Sequence, residues 1–375
     1  MTVRSIAAAA LLLATIAGCS APAAPPGEDR GGKLPPVKLQ AASLAEGFTS
    51  MERLVEAARK EGSLTVIALA RDWVNYGEII DSFSEEYGIK VTELEPGAGS
   101  LRQIEAAETL RPDVFDLSLE VAVANAGSFA PYKVRGWQDI PDELKDAEGS
   151  WYAAYGGYMS IGYDSRRVTA PASYADLLKP GHSVWLPGDP RQSAAAFGAV
   201  MAASLDEGAG DAGSGGKRGD RADAERGVEF FGRLKEAGNL AAAGQPPSVV
   251  LDWDFLNAAR AAKETDGGPG WKVAIPGGRA LGAYYVQAVS KNAPHPAAAR
   301  LWQEYLLSDR GQNLFLKGYA RPARMEAMRM RGTLDADLAR RLPATAARPV
   351  IMTVPETDAA KAYLRREWAG TVEGS

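Results

Sequence analysis

Between Ser63 and Leu94 the spacing of apolar residues changes twice. Leu64, Val66, Ile67 and Leu69 form a short apolar run, the pattern of a buried strand. A polar break at Arg71-Asp72-Trp73 ends it. Ile79, Ile80, Phe83 and Tyr87 then recur at helical spacing, with Gly88 as a C-terminal stop. Ile89, Val91 and Leu94 begin a second strand. Strand, loop, helix and strand predict a right-handed βαβ unit, whose ligands lie beyond the carboxyl ends of its strands. Trp73 and Tyr76 are therefore expected beside a ligand.

The same reading extends along the chain. Thr49-Ser50-Met51-Glu52 predicts a capping box for a helix that stops at Gly62. Residues 99–110 predict a helix, and 113–123 an alternating strand with Val114, Leu117 and Leu119. Trp151 to Asp164 is aromatic, glycine-rich and strand-like. Its Tyr155 and Tyr158 suit either strand packing or a cleft lining. A short helix is expected over 174–178. Val184-Trp185-Leu186, the turn Pro187-Gly188-Asp189-Pro190 and a helix from Gln192 to Ala203 repeat the strand-turn-helix order. The N–H groups around Ser193 favour an anion. Asp189 suits either a turn or a ligand contact.

Asp206 to Gly227 reads as a loop. It contains a formal GxGxxG at Gly208-Ala209-Gly210-Asp211-Ala212-Gly213, which follows a helix rather than a strand and so is no dinucleotide site. Residues 228–237 predict a helix. In Val249 to Arg260, Trp253 stands between Asp252 and Asp254. An aromatic flanked by carboxylates has the chemistry of a cation pocket, and equally that of a core tryptophan with two solvated acids. Gly282 to Ser290 predicts a strand in which Tyr284 and Tyr285 point to opposite faces. A helix over 297–306 follows, and 321–375 is helical and charged, with no assignment to either half of the fold.

Residues 1–19 read as an export signal: Arg4, an apolar core from Ile6 to Ile16 too short to span a bilayer, then small residues. Residues 20–47, rich in Ala, Pro and Gly, read as a disordered tether.

These features resemble the extracytoplasmic solute-binding proteins of ABC importers, in the cluster that takes up polyamines, ferric iron, thiamine and phosphonates. The resemblance runs from about Leu54 to Pro322. It rests on the helix Leu54-Val55-Glu56-Ala57-Ala58-Arg59-Lys60-Glu61-Gly62 before the first strand and on the loop Trp73-Val74-Asn75-Tyr76, similar to W-x-E-Y in polyamine binders. The turn Lys291-Asn292-Ala293-Pro294-His295-Pro296 and the loop Gly318-Tyr319-Ala320-Arg321-Pro322 add to it. Ile16-Ala17-Gly18-Cys19 resembles a bacterial lipobox, which implies acylation of Cys19 and a lipid anchor on the cell membrane, at the bacterial surface or in the periplasm.

The resemblance implies an α/β, two-lobed periplasmic-binding-protein fold of type II. Each lobe is a central sheet flanked by helices, and two crossing strands join them. Lobe 1 is expected over 48–157 and 286–320, lobe 2 over 158–285, with a hinge near Tyr158–Gly162 and Val286–Ser290. The implied ligand set is Trp73, Tyr76, Asp189, Ser193, Trp253, Asp254 and Tyr285. Asp189 matches an acidic position of polyamine binders. Asn75 and Gln192 stand where those carry Glu, and Tyr285 where they carry Asp.

A net charge of −5 argues against nucleic acid as a partner. His182 and His295 are the only histidines, and neither has a nucleophile at a recognisable spacing. No GxSxG, HExxH or P-loop occurs. Cys19 is the single cysteine, so His/Cys metal clusters and an internal disulfide are excluded. A ferric site built on tyrosinates stays open. The expectation is a monomeric binding lipoprotein without cofactor that passes a small solute, an amine or polyamine-like cation first, to a membrane permease. An aminophosphonate, thiamine or ferric iron is the alternative ligand. An extracytoplasmic enzyme or a structural lipoprotein is the alternative from another class. Arg71 and Arg191 are the nearby cations that would instead attract an anion.

Overall fold

The apolar run after Gly62 forms β1 (Ser63–Ile67), in which Leu64, Val66 and Ile67 are buried. The computed structural model describes residues 35–206, 221–241, 244–263, 270–345 and 348–373. Before β1 come α1 (Leu44–Gly47) and α2 (Met51–Glu61). After it come α3 (Tyr76–Tyr87), β2 (Lys90–Leu94), α4 (Ser100–Leu110), β3 (Val114–Ser118), α5 (Leu119–Ala124) and β4 (Phe129–Ala130). The long β5 (Tyr152–Asp164) leads to β6 (Val184–Trp185), α6 (Ala194–Ala203), α7 (Ala224–Glu236), β7 (Val249–Trp253), α8 (Asp254–Ala262) and β8 (Trp271–Ala274). The long β9 (Arg279–Ser290) returns to α9 (Pro296–Leu306), α10 (Asp309–Lys317) and β10 (Arg321–Pro322). The chain closes with α11 (Met325–Arg331), α12 (Ala336–Arg340), β11 (Arg348–Val350) and α13 (Val354–Trp368), extended by a π-helical turn over Ala369–Glu373.

Among the described residues the strands form one sheet in the order β2-β1-β3-β9-β5-β7-β6. β1 pairs in parallel with β2 and β3, and β6 with β7. The two long strands join these parallel groups. β5 pairs antiparallel with β9 through Tyr158, then with β7 from Met159 onward. β9 carries β3 on its other edge from Tyr285 to Val289. This is the two-lobed α/β arrangement of type II, with β5 and β9 as the crossing strands.

Local chemistry explains the elements, including those that differ from expectation. Gly62 and Gly88 adopt left-handed φ of 72° and 68°, which suits a residue without Cβ at a helix end. The cap of α2 is Ser50 rather than Thr49: its hydroxyl accepts from Arg53 N, and Thr49 takes a positive φ of 65°. The strand expected over 113–123 stops at Ser118, where α5 starts. β3 is buried on both faces, so its run of apolar residues carries no alternation to mark the end. Residues 174–178 form only a 3-10 turn, and α7 begins earlier than expected, capped by Asp223.

Part of the expected tether is ordered. Ala41 is buried, Lys38 N donates to Gly47 O, and the buried Arg300 donates from Nε to Ala41 O at 2.9 Å. Burial in this apolar surrounding pushes the Arg300 pKa down, and the carbonyls and the Tyr132 ring beneath it replace part of its hydration. Cys19 and the GxGxxG lie outside the described residues. The C-terminal α13 packs on α7, with Trp368 against Phe231 at 5.6 Å.

Candidate functional site

A cavity of about 640 Å³ opens beyond the carboxyl ends of β1 and β3 and against the start of α6. Two helices begin on it. The first turn of α4, from Gly99 to Gln103, lines one side, and Ser193 and Ala194 at the start of α6 line the other. First-turn N–H groups lack intrahelical partners and carry partial positive charge, so both ends favour a negative group.

Trp73 stands at this cavity, as the βαβ pattern predicts. Its Nε1–H donates to the Tyr155 hydroxyl at 2.8 Å. Its ring meets Tyr285 and Phe255 edge-on, each at 5.4 Å. Tyr285 stacks on Tyr155 at 5.3 Å with planes 11° apart and also reaches the cavity. Tyr76 does not line it. Fully buried, it packs edge-on against Tyr155 and Phe315 and supports the floor from beneath. Asn75 turns away to α10, donating to Leu314 O.

Sequence reasoning missed the centre of this floor, Asp116. The Tyr155 hydroxyl donates to its Oδ2 at 2.7 Å, and Gln287 Nε2 to its Oδ1 at 2.7 Å. Gln103 ties α4 to the same residue through its backbone N–H and C=O. Burial raises the Asp116 pKa to about 7, against the pull of the bonds from Tyr155, Gln287 and Tyr76. Burial, and then the Asp116 charge, also holds the Tyr155 and Tyr285 phenols protonated. The signal for Asp116 was present: one acid inside the apolar run Val114-Phe115-Asp116-Leu117 must have partners.

The acids expected to hold a cation are mostly engaged elsewhere. Asp189 forms a bidentate pair with Arg191, through Nε at 2.8 Å and Nη2 at 2.7 Å. Arg191 also reaches Glu373 at 2.6 Å. The Arg191 guanidinium holds the Asp189 carboxyl below its usual range. Ser193 caps α6, accepting from Ala196 N and donating to Pro187 O at 2.7 Å.

Asp252 and Asp254 do not share a strand face, because the chain turns into α8 at Asp254. Asp252 accepts from Trp253 N, and burial lifts its pKa to about 6. Asp254 is fully buried: Oδ1 accepts from Tyr158 N at 2.9 Å, and Oδ2 faces Arg321 Nη2 at 3.1 Å. Gly157 lacks a Cβ where one would stand 2.4 Å from that Oδ1. Trp253 is buried and stacks on Phe255, the ring that Trp73 meets from its other neighbours. Phe255 therefore neighbours both tryptophans. Arg321 lies over Tyr158 at 4.7 Å, so the loop at 318–322 does approach the crossing strands.

Glu120, Lys361 and Arg365 complete the cavity wall. No sequence pattern marked them, since Lys361 and Arg365 look like ordinary solvated charges on a helix.

The remaining candidates for chemistry are structural. His295 caps α9 and pairs through Nδ1 with Asp113 at 2.8 Å, whose carboxylate also accepts from Thr65 N. His182 bonds only Lys179 O in the described residues. No cluster of three or more His, Cys, Asp or Glu suited to a metal ion occurs among the described residues.

The sequence profile of the bacterial extracellular solute-binding proteins matches residues 113–352. The chain belongs to that family. Solved structures agree on the fold. The chain is similar to the binding protein AgtB from A. tumefaciens R10 in complex with agropinic acid, at TM-score 0.61 and 16% identity, over 83% of this chain and 99% of that one. It is similar to the ferric binding protein from Campylobacter jejuni, at 0.60 and 15%, over 82% and 99%. It is also similar to AfuA from Actinobacillus pleuropneumoniae with fructose-6-phosphate bound, at 0.58 and 15%, over 84% and 99%. This solute-binding protein is the substrate-binding component of an ABC importer. Its matched region ends at Met352, so α13 with Lys361 and Arg365 lies beyond it.

Proposed function

We propose that the interlobe cavity binds a small solute carrying an anionic group and presents it to the membrane permease. The observation that supports this is the pair of helix starts, α4 and α6, facing one cavity from opposite sides. Arg365 adds a cation there with no carboxylate partner among the described residues. The cation favoured from the sequence has less support, because Asp189 is matched by Arg191 and Asp254 by Arg321. Two of the similar structures hold agropinic acid and fructose-6-phosphate, which is consistent with an anion.

Asp116 supports a second reading. A carboxylate under Trp73 and Tyr285 suits an ammonium group, so a diamine, or a zwitterion such as an aminophosphonate with its amine at Asp116, also fits. Calorimetry against putrescine, 2-aminoethylphosphonate, thiamine, fructose 6-phosphate and ferric citrate separates the readings. Binding of the phosphate ester or the aminophosphonate is expected. Binding of putrescine alone overturns the anionic reading.

Within this proposal the two lobes close on the solute about β5 and β9, near where β5 exchanges β9 for β7 at Tyr158 and Met159. Solution scattering should give a smaller radius with solute, and identical profiles at saturation contradict closure. Cys19 is proposed to carry the lipid anchor. Cys19→Ala should release the protein from membranes.

A further inference from the structure

A second cavity of about 90 Å³ adjoins the first and shares Tyr285, Phe197, Glu120 and Lys361 with it. Its outer wall is C-terminal: Ile351 and Met352 after β11, then Thr357 and Lys361 on α13. Most of its lining is apolar, and one buried donor stands in it. The Trp253 indole N–H makes no well-formed hydrogen bond among the described residues, with the Tyr285 hydroxyl as its polar neighbour, and Trp253 is only 4% exposed. A buried donor of this kind ordinarily has a well-placed partner, so this loose contact leaves room for a better acceptor that the protein itself does not supply.

At the junction of the two cavities stands Lys361. Its Nζ lies 2.8 Å from Glu120 on α5 and 5.6 Å from the Phe197 ring on α6, so it spans the cleft. Arg365 follows four residues later, on the same helix face, and lines the larger cavity. The helix itself is fixed from behind by buried Leu364 and by Trp368 on Phe231.

We infer that the segment from Ile351 to Arg365 is a third wall of the solute site, with Arg365 holding an anionic head group beside the Lys361–Glu120 pair and the smaller cavity taking a short apolar arm that ends in an acceptor for Trp253 Nε1–H. This rests on the interlobe cavity being the solute site. Its volume limits the arm to the space of about three waters, which suits a chain of a few carbons. The solute is thus an amphiphilic small acid rather than a bare inorganic anion.

Three probes share one head group: methyl phosphate, butyl phosphate and 4-oxopentyl phosphate. Calorimetry on the full chain should rank them in rising affinity, each step several-fold. Lys361→Gln with Arg365→Gln should weaken all three by about tenfold or more. Met352→Trp, which fills the smaller cavity, should weaken only the two longer probes. Circular dichroism confirms that each variant is folded. Equal affinities for the three probes, undiminished binding in the double variant, or no binding of any probe each overturns the inference. Trp73→Ala separates the two layers. If another solute, such as putrescine, binds and is lost in Trp73→Ala, the interlobe cavity stands as the site and only the third wall falls.

Discussion

Arg321, from the short strand after α10, meets the fully buried Asp254 at the start of α8 at 3.1 Å. The pair joins the C-terminal part of the chain to the group of strands around β7, directly beneath the crossing strand β5. Desolvation pushes the Asp254 pKa up, and Arg321 and the Tyr158 N–H pull against it. Removing the arginine leaves a buried carboxylate with only backbone N–H donors, from Tyr158 and Phe255. Arg321→Met should cost about 3–5 kcal/mol in urea unfolding. Adding Asp254→Asn to it should cost less than the two single changes together, and strict additivity would show that the pair is not coupled.

Asp189 gives the opposite expectation. Its carboxylate is occupied by Arg191, and both side chains are about a quarter exposed. Asp189→Asn leaves Arg191, which lines the cavity, paired with Glu373 alone. Affinity for an anionic solute should stay within roughly fivefold or improve, since a partly exposed pair contributes about 0.2–1 kcal/mol. A large loss of affinity would return Asp189 to the role of a ligand contact.

Asp116 makes stability depend on pH. Its folded pKa of about 7 lies above the ordinary carboxylate value of 3.8, so the folded state holds the proton more tightly. Stability from this group is fully present below about pH 4 and is lost as pH rises toward 7, by an amount on the order of a few kcal/mol. Asp252, raised to about 6, acts with the same sign. Melting temperatures measured from pH 5 to pH 8 should therefore fall, and Asp116→Asn should flatten the slope without removing it. A melting temperature that rises across this range contradicts the assignment.

Trp73 joins the aromatic floor to the cavity through Tyr155. Trp73→Ala should raise the dissociation constant for the solute at least about tenfold, or roughly 1.4 kcal/mol, with the fold retained. Trp73→Phe keeps the edge contact with Tyr285 but loses the bond to Tyr155, and should fall between.

Much of this molecule follows from its local patterns. The run Leu64 to Ile67, the helical spacing of Ile79, Ile80 and Phe83, and Gly88 determine β1, α3 and its end, because each is set by neighbours within a few residues. The aromatic strand through Tyr155 and the tryptophan before α8 were legible for the same reason. Partnership was not. Nothing near Asp189 or Asp254 in sequence says that Arg191 bends back onto the first or that Arg321, 67 residues away, neutralises the second. Tyr76, expected in the loop beside a ligand, instead begins α3, and the direction of that helix start buries it under Tyr155. Asp116, Lys361 and Arg365 are brought together by β3 and α13 from opposite ends of the chain. Period and capping are properties of one segment, whereas the charge that a cavity presents depends on which side chains are already paired, and only the tertiary structure decides that.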